Sequence, residues 1–442
     1  WVEGPAGPTR LARMHPADVP PITPETVLER AVWASDHLLA ATFGPTGLVR
    51  QRWDPVRTTN SDAFDLFWHA HGTWALGAAF HRTRFVPYGE AAERALRALL
   101  EVSQVDDRSG PHGGGSVRWV SDHEQIHTGV VALSLLAVAE HRAAFVVDDH
   151  LDAGRQLALY LISVQAEGGR FNGVATRDPA EPPTPDGPEY YTSEATLALL
   201  RWHAVDPDER WLDAALRGLE HRARVDADAG ERLKTDFWLM MALAEARATH
   251  PDPRWVGWAE RLAAAAVRDL KTGERAARQF TDLAGGGASG SVLSSAVRVE
   301  GLSAAIEMLR ASGRPTADLE AQARGAARHV LAFQYTPESH WWVRAPSRTL
   351  GGFSSGPGDP SLRADVHTHA LGALLGLERV LSSERLPGTP GWSLDDSRAF
   401  HGVDRAMLRP MRVPSRANRV PSVWELGLPE VDPHRGLGST TP

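Results

Sequence analysis

The amino-acid sequence predicts an all-α protein built as an (α/α)6 toroid, six inner helices ringed by six outer ones, with short β-hairpins on one rim. Three observations predict it. Apolar residues recur with the 3.6-residue period of a helix through nearly all of residues 24–383. The helical segments alternate between two kinds, one amphipathic and one apolar on almost every face, and a helix apolar all round must be buried all round. The alternation repeats roughly every 45–70 residues, a helical-repeat signature. A chain whose helices divide so cleanly into buried and exposed sets closes into a ring, whereas those of an open solenoid would not.

The first helix is expected over 24–42, where Pro24 and Glu25 suit a first turn. Further helices are expected over 62–80, 88–104, 124–141, 148–165, 190–204, 207–223, 235–249, 252–270, 293–311, 316–334 and 364–383. The buried set contains GTWALGAAF, GVVALSLLAVA, ATLALL, FWLMMALAEA, VEGLSAAIEML and HALGALLGL. The solvated set includes YGEAAERALRALLEV and DERWLDAALRGLEHRA. Gly-marked stretches rich in β-formers lie between them, at 47–54, 115–122, 168–178 and 340–353, and are expected to form the rim hairpins. The Gly-rich run 284–291 lacks Gly-Lys-Ser/Thr and a preceding strand, so it reads as a loop over the pocket and not as a phosphate loop. Residues 1–23 are read as an extended segment, 24–385 as the toroid domain and 386–442, rich in Pro and Arg, as a tail.

Composition narrows the function. The chain has 442 residues, 42% hydrophobic and 23% charged, an ordinary globular balance. A net charge of −8 with no basic run argues against a nucleic-acid partner. With no cysteine there is no disulfide framework, thiolate nucleophile or Cys-ligated metal. No uninterrupted apolar run reaches about 18 residues, so no membrane span is expected. Lys234 and Lys271 are the only lysines amid plentiful Arg and Ala, a high-GC bacterial bias. The start at Trp1 without Met fits a processed product, so an exported, periplasmic or extracellular location is favoured over the cytoplasm. Nothing in the pattern encodes an oligomeric state.

Polar and aromatic residues open every one of the six apolar helices. Trp68, His69 and His71 open the first; Asp122, His123, Glu124, Gln125 and His127 the second; Glu189, Tyr190, Tyr191 and Glu194 the third. Asp236, Phe237 and Trp238 open the fourth, Arg298 and Glu300 the fifth, and Arg363, Asp365, His367 and His369 the sixth. Inner helices of a toroid all start at one rim, so these residues are expected to line one central pocket. Singly, each has a plainer reading: Asp236 and Asp365 suit N-caps, and buried histidines are usually bonded to carbonyls. As a set they point to function, because a purely structural core would close that end with apolar side chains and caps.

Two chemistries fit the set. Glu194, Asp236, Glu300 and Asp365 can supply the acid and the base or nucleophile of glycosidic cleavage. Glu300 and Asp365 are the preferred pair, since both start neighbouring inner helices beside an arginine, Arg298 and Arg363. His69, His127, His369 and Tyr191 beside those arginines fit β-elimination or epimerisation instead, with Arg holding a uronate carboxylate while His or Tyr takes the adjacent proton. Trp68, Trp119, Trp238 and Trp342 offer flat faces for sugar rings, or else pack core and rim. Glu194 and Asp236 are also placed with the substrate-binding groups. His-x-His occurs twice, but residues two apart on a helix point in different directions. One histidine of each pair with a carboxylate can still hold a cation; HExxH-like spacing is absent, and no metal or cofactor is expected.

Three stretches carry a resemblance: QAEGGRF (165–171), the segment 189–223, and RADVHTHALGALLGL (363–377). They resemble the six-hairpin α/α-toroid superfamily, which includes glucoamylase-like and unsaturated-glucuronyl hydrolases, toroidal polysaccharide lyases and sugar epimerases. The last stretch is similar to an Arg-Ile-Asp-Tyr-x-Gln-His-Ala-Leu helix start of bacterial toroid proteins. That similarity carries over Arg363, Asp365 and His369, while His367 departs from the pattern. WHAHGTWAL likewise is similar to Arg-His-Ala-Gly-Thr-x-x-Ala-Leu, carrying over His69 and leaving His71 as an addition. The resemblance implies a carbohydrate ligand without choosing the chemistry. The expectation is a glycoside hydrolase acting on a complex or acidic glycan, with a lyase or epimerase second. A non-catalytic glycan- or peptide-binding toroid is the reading from another class.

Overall fold

The computed structural model describes residues 2–4, 7–9, 19–39, 47–60, 64–106, 115–121, 124–178, 181–230, 233–284, 291–356 and 359–383. Among these, twelve α-helices form in chain order: α1 (Pro24–His37), α2 (Leu66–Thr83), α3 (Val86–Glu101), α4 (Thr128–Phe145), α5 (Leu151–Ser163) and α6 (Tyr190–Val205), then α7 (Glu209–Ala229), α8 (Phe237–Thr249), α9 (Pro253–Ala284), α10 (Val292–Ala311), α11 (Ala317–Ala332) and α12 (Ala364–Ser383). The even-numbered helices are the apolar ones, and each packs on the next: α2 on α4, α4 on α6, α6 on α8, α8 on α10, α10 on α12, and α12 back on α2. That closed ring is the (α/α)6 toroid. The odd-numbered helices sit outside, α1 on α12, α3 on α2, α5 on α4, α7 on α6, α9 on α10 and α11 on α10.

Local chemistry sets the helix starts. Asp65 caps α2 by accepting from the Phe67 N–H at 2.8 Å, and Asp236 caps α8 through Leu239 N–H at 3.0 Å. Thr23, Asp208 and Ser291 cap α1, α7 and α10 in the same way. α4 is long and apolar enough to cross a bilayer by length and composition, but 89% of that window is buried among the other helices. Its apolarity follows from its place in the inner ring.

Ten short strands complete the description: β1 (Val2–Gly4), β2 (Gly7–Thr9), β3 (Arg52–Asp54), β4 (Thr59–Asn60), β5 (Ser103–Asp106), β6 (Val117–Val120), β7 (Gln125–His127), β8 (Val174–Thr176), β9 (Ser354–Gly356) and β10 (Asp359–Arg363). They pair antiparallel as β1–β2, β4–β3–β10–β9, β5–β6 and β7–β8. The expected rim hairpins exist, with two differences. Residues 125–127, expected in a helix, instead pair with 174–176, so α4 starts at Thr128. Residues 340–353 form turns and one short 3-10 segment, Pro346–Arg348, because a proline and a left-handed Gly351 (φ 81°) interrupt the stretch; the strand begins at Ser354. The readings made for Asp122, His123, the loop 285–290 and the tail 386–442 lie outside the described residues.

Candidate active site

The two His-x-His pairs divide by direction. His69 turns outward: its Nε2 donates to Ala95 O of α3 at 3.1 Å and its Nδ1 accepts from Val49 N–H at 3.3 Å. His367 also turns outward, Nε2 donating to Ala34 O of α1 at 2.9 Å. Burial lowers both imidazoles to about 4, so they stay neutral. His71 and His369 turn inward and meet at the ring's centre, their rings edge to face with centroids 4.4 Å apart.

His369 Nδ1–H donates to Glu300 Oε2 of α10 at 2.8 Å. The Thr368 hydroxyl donates to Ala364 O at 2.9 Å, which leaves its oxygen to accept from His71 Nδ1–H at 3.2 Å. With both Nδ1 atoms protonated, both lone pairs reside on Nε2, the form in which an imidazole acts as a base. All three side chains are buried, His71 at 1%, His369 at 4% and Glu300 at 6% exposure. Burial raises the Glu300 carboxyl above its ordinary range, opposed by the neighbouring His369. Burial holds His71 well below the ordinary imidazole value, and the positive form of His369 pushes it further down. The two histidines therefore resist being charged together.

Aromatic side chains surround this centre. Trp238 and Phe237 of α8 lie 6.1 and 5.2 Å from the His369 ring, Trp68 of α2 lies 6.2 Å from it, and Trp74 stacks on His71 at 5.4 Å. A close helix approach makes the arrangement possible: a methyl built on Gly372 of α12 would stand 2.1 Å from Glu300 Oε1. His71, Glu300 and His369 also offer one donor atom each within 4.8 Å of one another, so the same centre has the geometry to hold a cation.

A second polar group lies on α6 and α8. Glu194 is 0% exposed, and neither carboxylate oxygen has a hydrogen-bond partner among the described residues. Burial, reinforced by the charge of Asp236, raises its carboxyl well above the ordinary range. A methyl on Gly129 of α4 would meet Tyr191 at 2.4 Å and Glu194 Oε2 at 2.7 Å, so α4 packs directly over this carboxyl. Burial, then Glu194, raises the Tyr191 phenol. Asp236 caps α8, accepts from Ser193 Oγ–H at 2.6 Å and lies 3.7 Å from Arg222 Nη2. Burial nevertheless raises its carboxyl.

The remaining candidates lie elsewhere. Asp365 accepts from Nε and Nη2 of Arg363, at the β10–α12 junction. Arg363, His37, Trp53 and His367 line a small cavity there. Arg298 donates to Ser294 O of its own helix at 2.9 Å. His127 is the N-cap residue of α4 and pairs with Val174 in the β7–β8 hairpin. Trp119 is buried on β6 with its ring 6.1 Å from Tyr160 of α5, and Trp342 packs with Trp53, Tyr335, Val343 and Leu362. The structure thus brings together Glu300, His369, Trp68 and Trp238, and separately Tyr191, Glu194 and Asp236. His71 and Phe237, named from sequence only among the residues that open the inner helices, complete the centre together with Trp74 and Thr368, which the sequence did not single out. The signal for His71 was its spacing, since two residues apart on a helix only one of the pair His69/His71 can face the axis.

No protein-family model and no curated protein matches the chain by sequence. Solved structures do match by shape. Cellobiose 2-epimerase from Spirochaeta thermophila DSM 6192 superposes with a TM-score of 0.57 at 15% identity, covering 82% of this chain and 98% of that one. A D-mannose isomerase gives 0.56 at 13% identity, over 82% and 100%. An inactive variant of the α-1,6-mannanase GH76A of Salegentibacter sp. HEL1_6, in complex with α-1,6-mannotriose, gives 0.54 at 12% identity, over 80% and 99%. At such identities the likeness is one of fold, the six-hairpin toroid.

Proposed function

We propose that the chain is a carbohydrate-active enzyme that moves a proton on a reducing sugar, an epimerase or isomerase. The observation that carries this reading is the His369–Glu300 hydrogen bond of 2.8 Å with the His71 ring against it, at the centre of an aromatic-lined ring. Glu300 fixes the tautomer and orientation of His369, the role a carboxylate plays beside any imidazole base. His369 or His71 takes the proton from the carbon next to the sugar carbonyl. The other imidazole, protonated, returns a proton to the opposite face of the same carbon, giving an epimer; delivery to the former carbonyl carbon, with the hydroxyl proton of the deprotonated carbon passing to the old carbonyl oxygen, gives a ketose. Trp68, which is partly exposed, supplies a face on which a sugar ring stacks, while Trp238, 2% exposed, packs on Phe237 and the two histidines. The epimerase and the isomerase of the same fold support the substrate class.

Hydrolysis, which the sequence put first, keeps one specific observation: the unpartnered, protonation-favouring carboxyl of Glu194 near Asp236, with the mannanase of the same fold beside it. The favoured carboxylate pair has divided, Glu300 engaging His369 and Asp365 engaging Arg363. Incubation with a panel of free sugars, neutral glycans and uronic-acid polysaccharides tests the reading. Conversion of a free sugar to its epimer or ketose supports proton transfer. New reducing ends without conversion support Glu194-based hydrolysis, and an unsaturated ultraviolet-absorbing product supports elimination. Silence across all three contradicts the enzyme reading.

A further inference from the structure

Three more potential metal ligands converge far from the ring's centre. Glu93 comes from the middle of α3, His141 from the last turns of α4, and His150 is the N-cap residue of α5. The inner helices present the proposed catalytic groups near their starts, so a cluster at the far end of α4 is at the opposite rim. Glu93 Oε2 lies 2.7 Å from His141 Nε2 and 3.2 Å from His150 Nε2. One donor atom from each residue falls within 4.8 Å of the other two. The His141 and His150 rings meet edge to face with centroids 5.0 Å apart, and His141 stacks on Phe145 at 4.4 Å, which fixes its plane. The other carboxylate oxygen, Oε1, accepts from Arg97 Nε–H, leaving Oε2 directed at the two imidazoles. That is the orienting contact expected behind a metal-binding carboxylate.

We propose that Glu93, His141 and His150 form a site for a divalent transition cation of the Zn2+ class. Two imidazole nitrogens and one carboxylate oxygen are a donor set that suits such a cation and leaves a fourth, water-filled position. The side chains are 12%, 7% and 15% exposed, so an ion and its water can reach them. The turn between α4 and α5 adds the exposed acids Asp148 and Asp149 beside His150, with Asp148 partly neutralised by Arg142. An ion there would bind α3, α4 and α5 to one another, bracing the outer layer of the toroid, and would do so independently of the central reaction.

The test uses the full chain stripped with a chelator and titrated with Zn2+ by calorimetry and with Co2+ by visible absorption. The expected result is one equivalent bound through these ligands, with the d–d bands of low-coordinate Co2+ and a rise in Tm on adding Zn2+. Glu93→Gln and His150→Ala should each weaken that binding about 10–100-fold or more, with helical circular dichroism retained. His369→Ala should leave it intact, which separates this site from the His71–Glu300–His369 centre. Absence of saturable binding, or binding unchanged in both Glu93→Gln and His150→Ala, would overturn the proposal, as would binding lost in His369→Ala alone.

Discussion

His369 Nδ1 lies 2.8 Å from Glu300 Oε2, a bond that ties the sixth inner helix to the fifth at the axis of the toroid. Both groups are buried, so the bond acts without competition from bulk water. Glu300→Gln keeps the shape and removes the charge that holds the tautomer. Turnover is expected to fall about 10²–10⁴-fold, the usual worth of an oriented acid–base group. His369→Ala should cost as much, and the double variant no more than the worse single one, because the two act as a unit. Steady-state kinetics of the three variants check this; additive losses would contradict it.

Gly372 is what lets Glu300 reach its partner. An alanine there puts its methyl 2.1 Å from Glu300 Oε1, whereas at Gly376, one turn on, the nearest atom is Ser303 Cβ at 3.4 Å. Helix propensity favours Ala over Gly by about 1 kcal/mol, and overpacking costs about 1–3 kcal/mol. Gly372→Ala should therefore lower both stability and turnover, while Gly376→Ala should stabilise. Thermal melts and kinetics of both variants check the contrast.

The buried carboxyl of Glu194 is destabilising once it ionises. Its folded pKa is raised well above 4.5, so above the unfolded value the folded state holds the proton longer and stability falls as pH rises through that window. Glu194→Gln removes the penalty. Its stability gain over the wild type should grow with pH above about 4.5 and then level off. A gain that does not vary with pH in chemical denaturation would contradict the burial argument.

His69 and His367 behave in the opposite sense. Their folded values near 4 lie below the ordinary 6.5, so between the two the unfolded chain takes up more protons. Each should cost stability as pH falls from about 6.5 towards 4, by up to about 1.4 kcal/mol per pH unit. Their ring resonances should stay those of neutral imidazole until about pH 4; titration near 6.5 by nuclear magnetic resonance would contradict the placement.

The toroid was legible because buried and exposed helices differ in composition, and alternation survives errors at the ends. The strand 125–127 was not, since its pairing with 174–176 is set by a partner some fifty residues away. Residues 340–353 held strand-forming Trp and Val, but Pro346 and Gly351 outweighed them. At the site, the helix starts singled out these residues while leaving the direction of each side chain unresolved. His71 and His369 face the axis and His69 and His367 face outer helices, a choice made by packing against Ala95 and Ala34. Asp365 and Glu300 begin adjacent helices, yet the Arg363 fork holds one and His369 the other. The cluster of Glu93, His141 and His150 joins an outer helix, an inner one and a turn, and no single stretch of sequence announces it.

The most direct test is to incubate the wild type and Glu300→Gln with free hexoses and disaccharides in deuterated water and to follow the carbon-bound hydrogens by nuclear magnetic resonance. The account predicts deuterium at the carbon next to the sugar carbonyl with the wild type, at least a hundredfold slower with Glu300→Gln, and no new reducing ends. Cleavage of the disaccharides to monosaccharides, with no deuterium entering any C–H position, would contradict it.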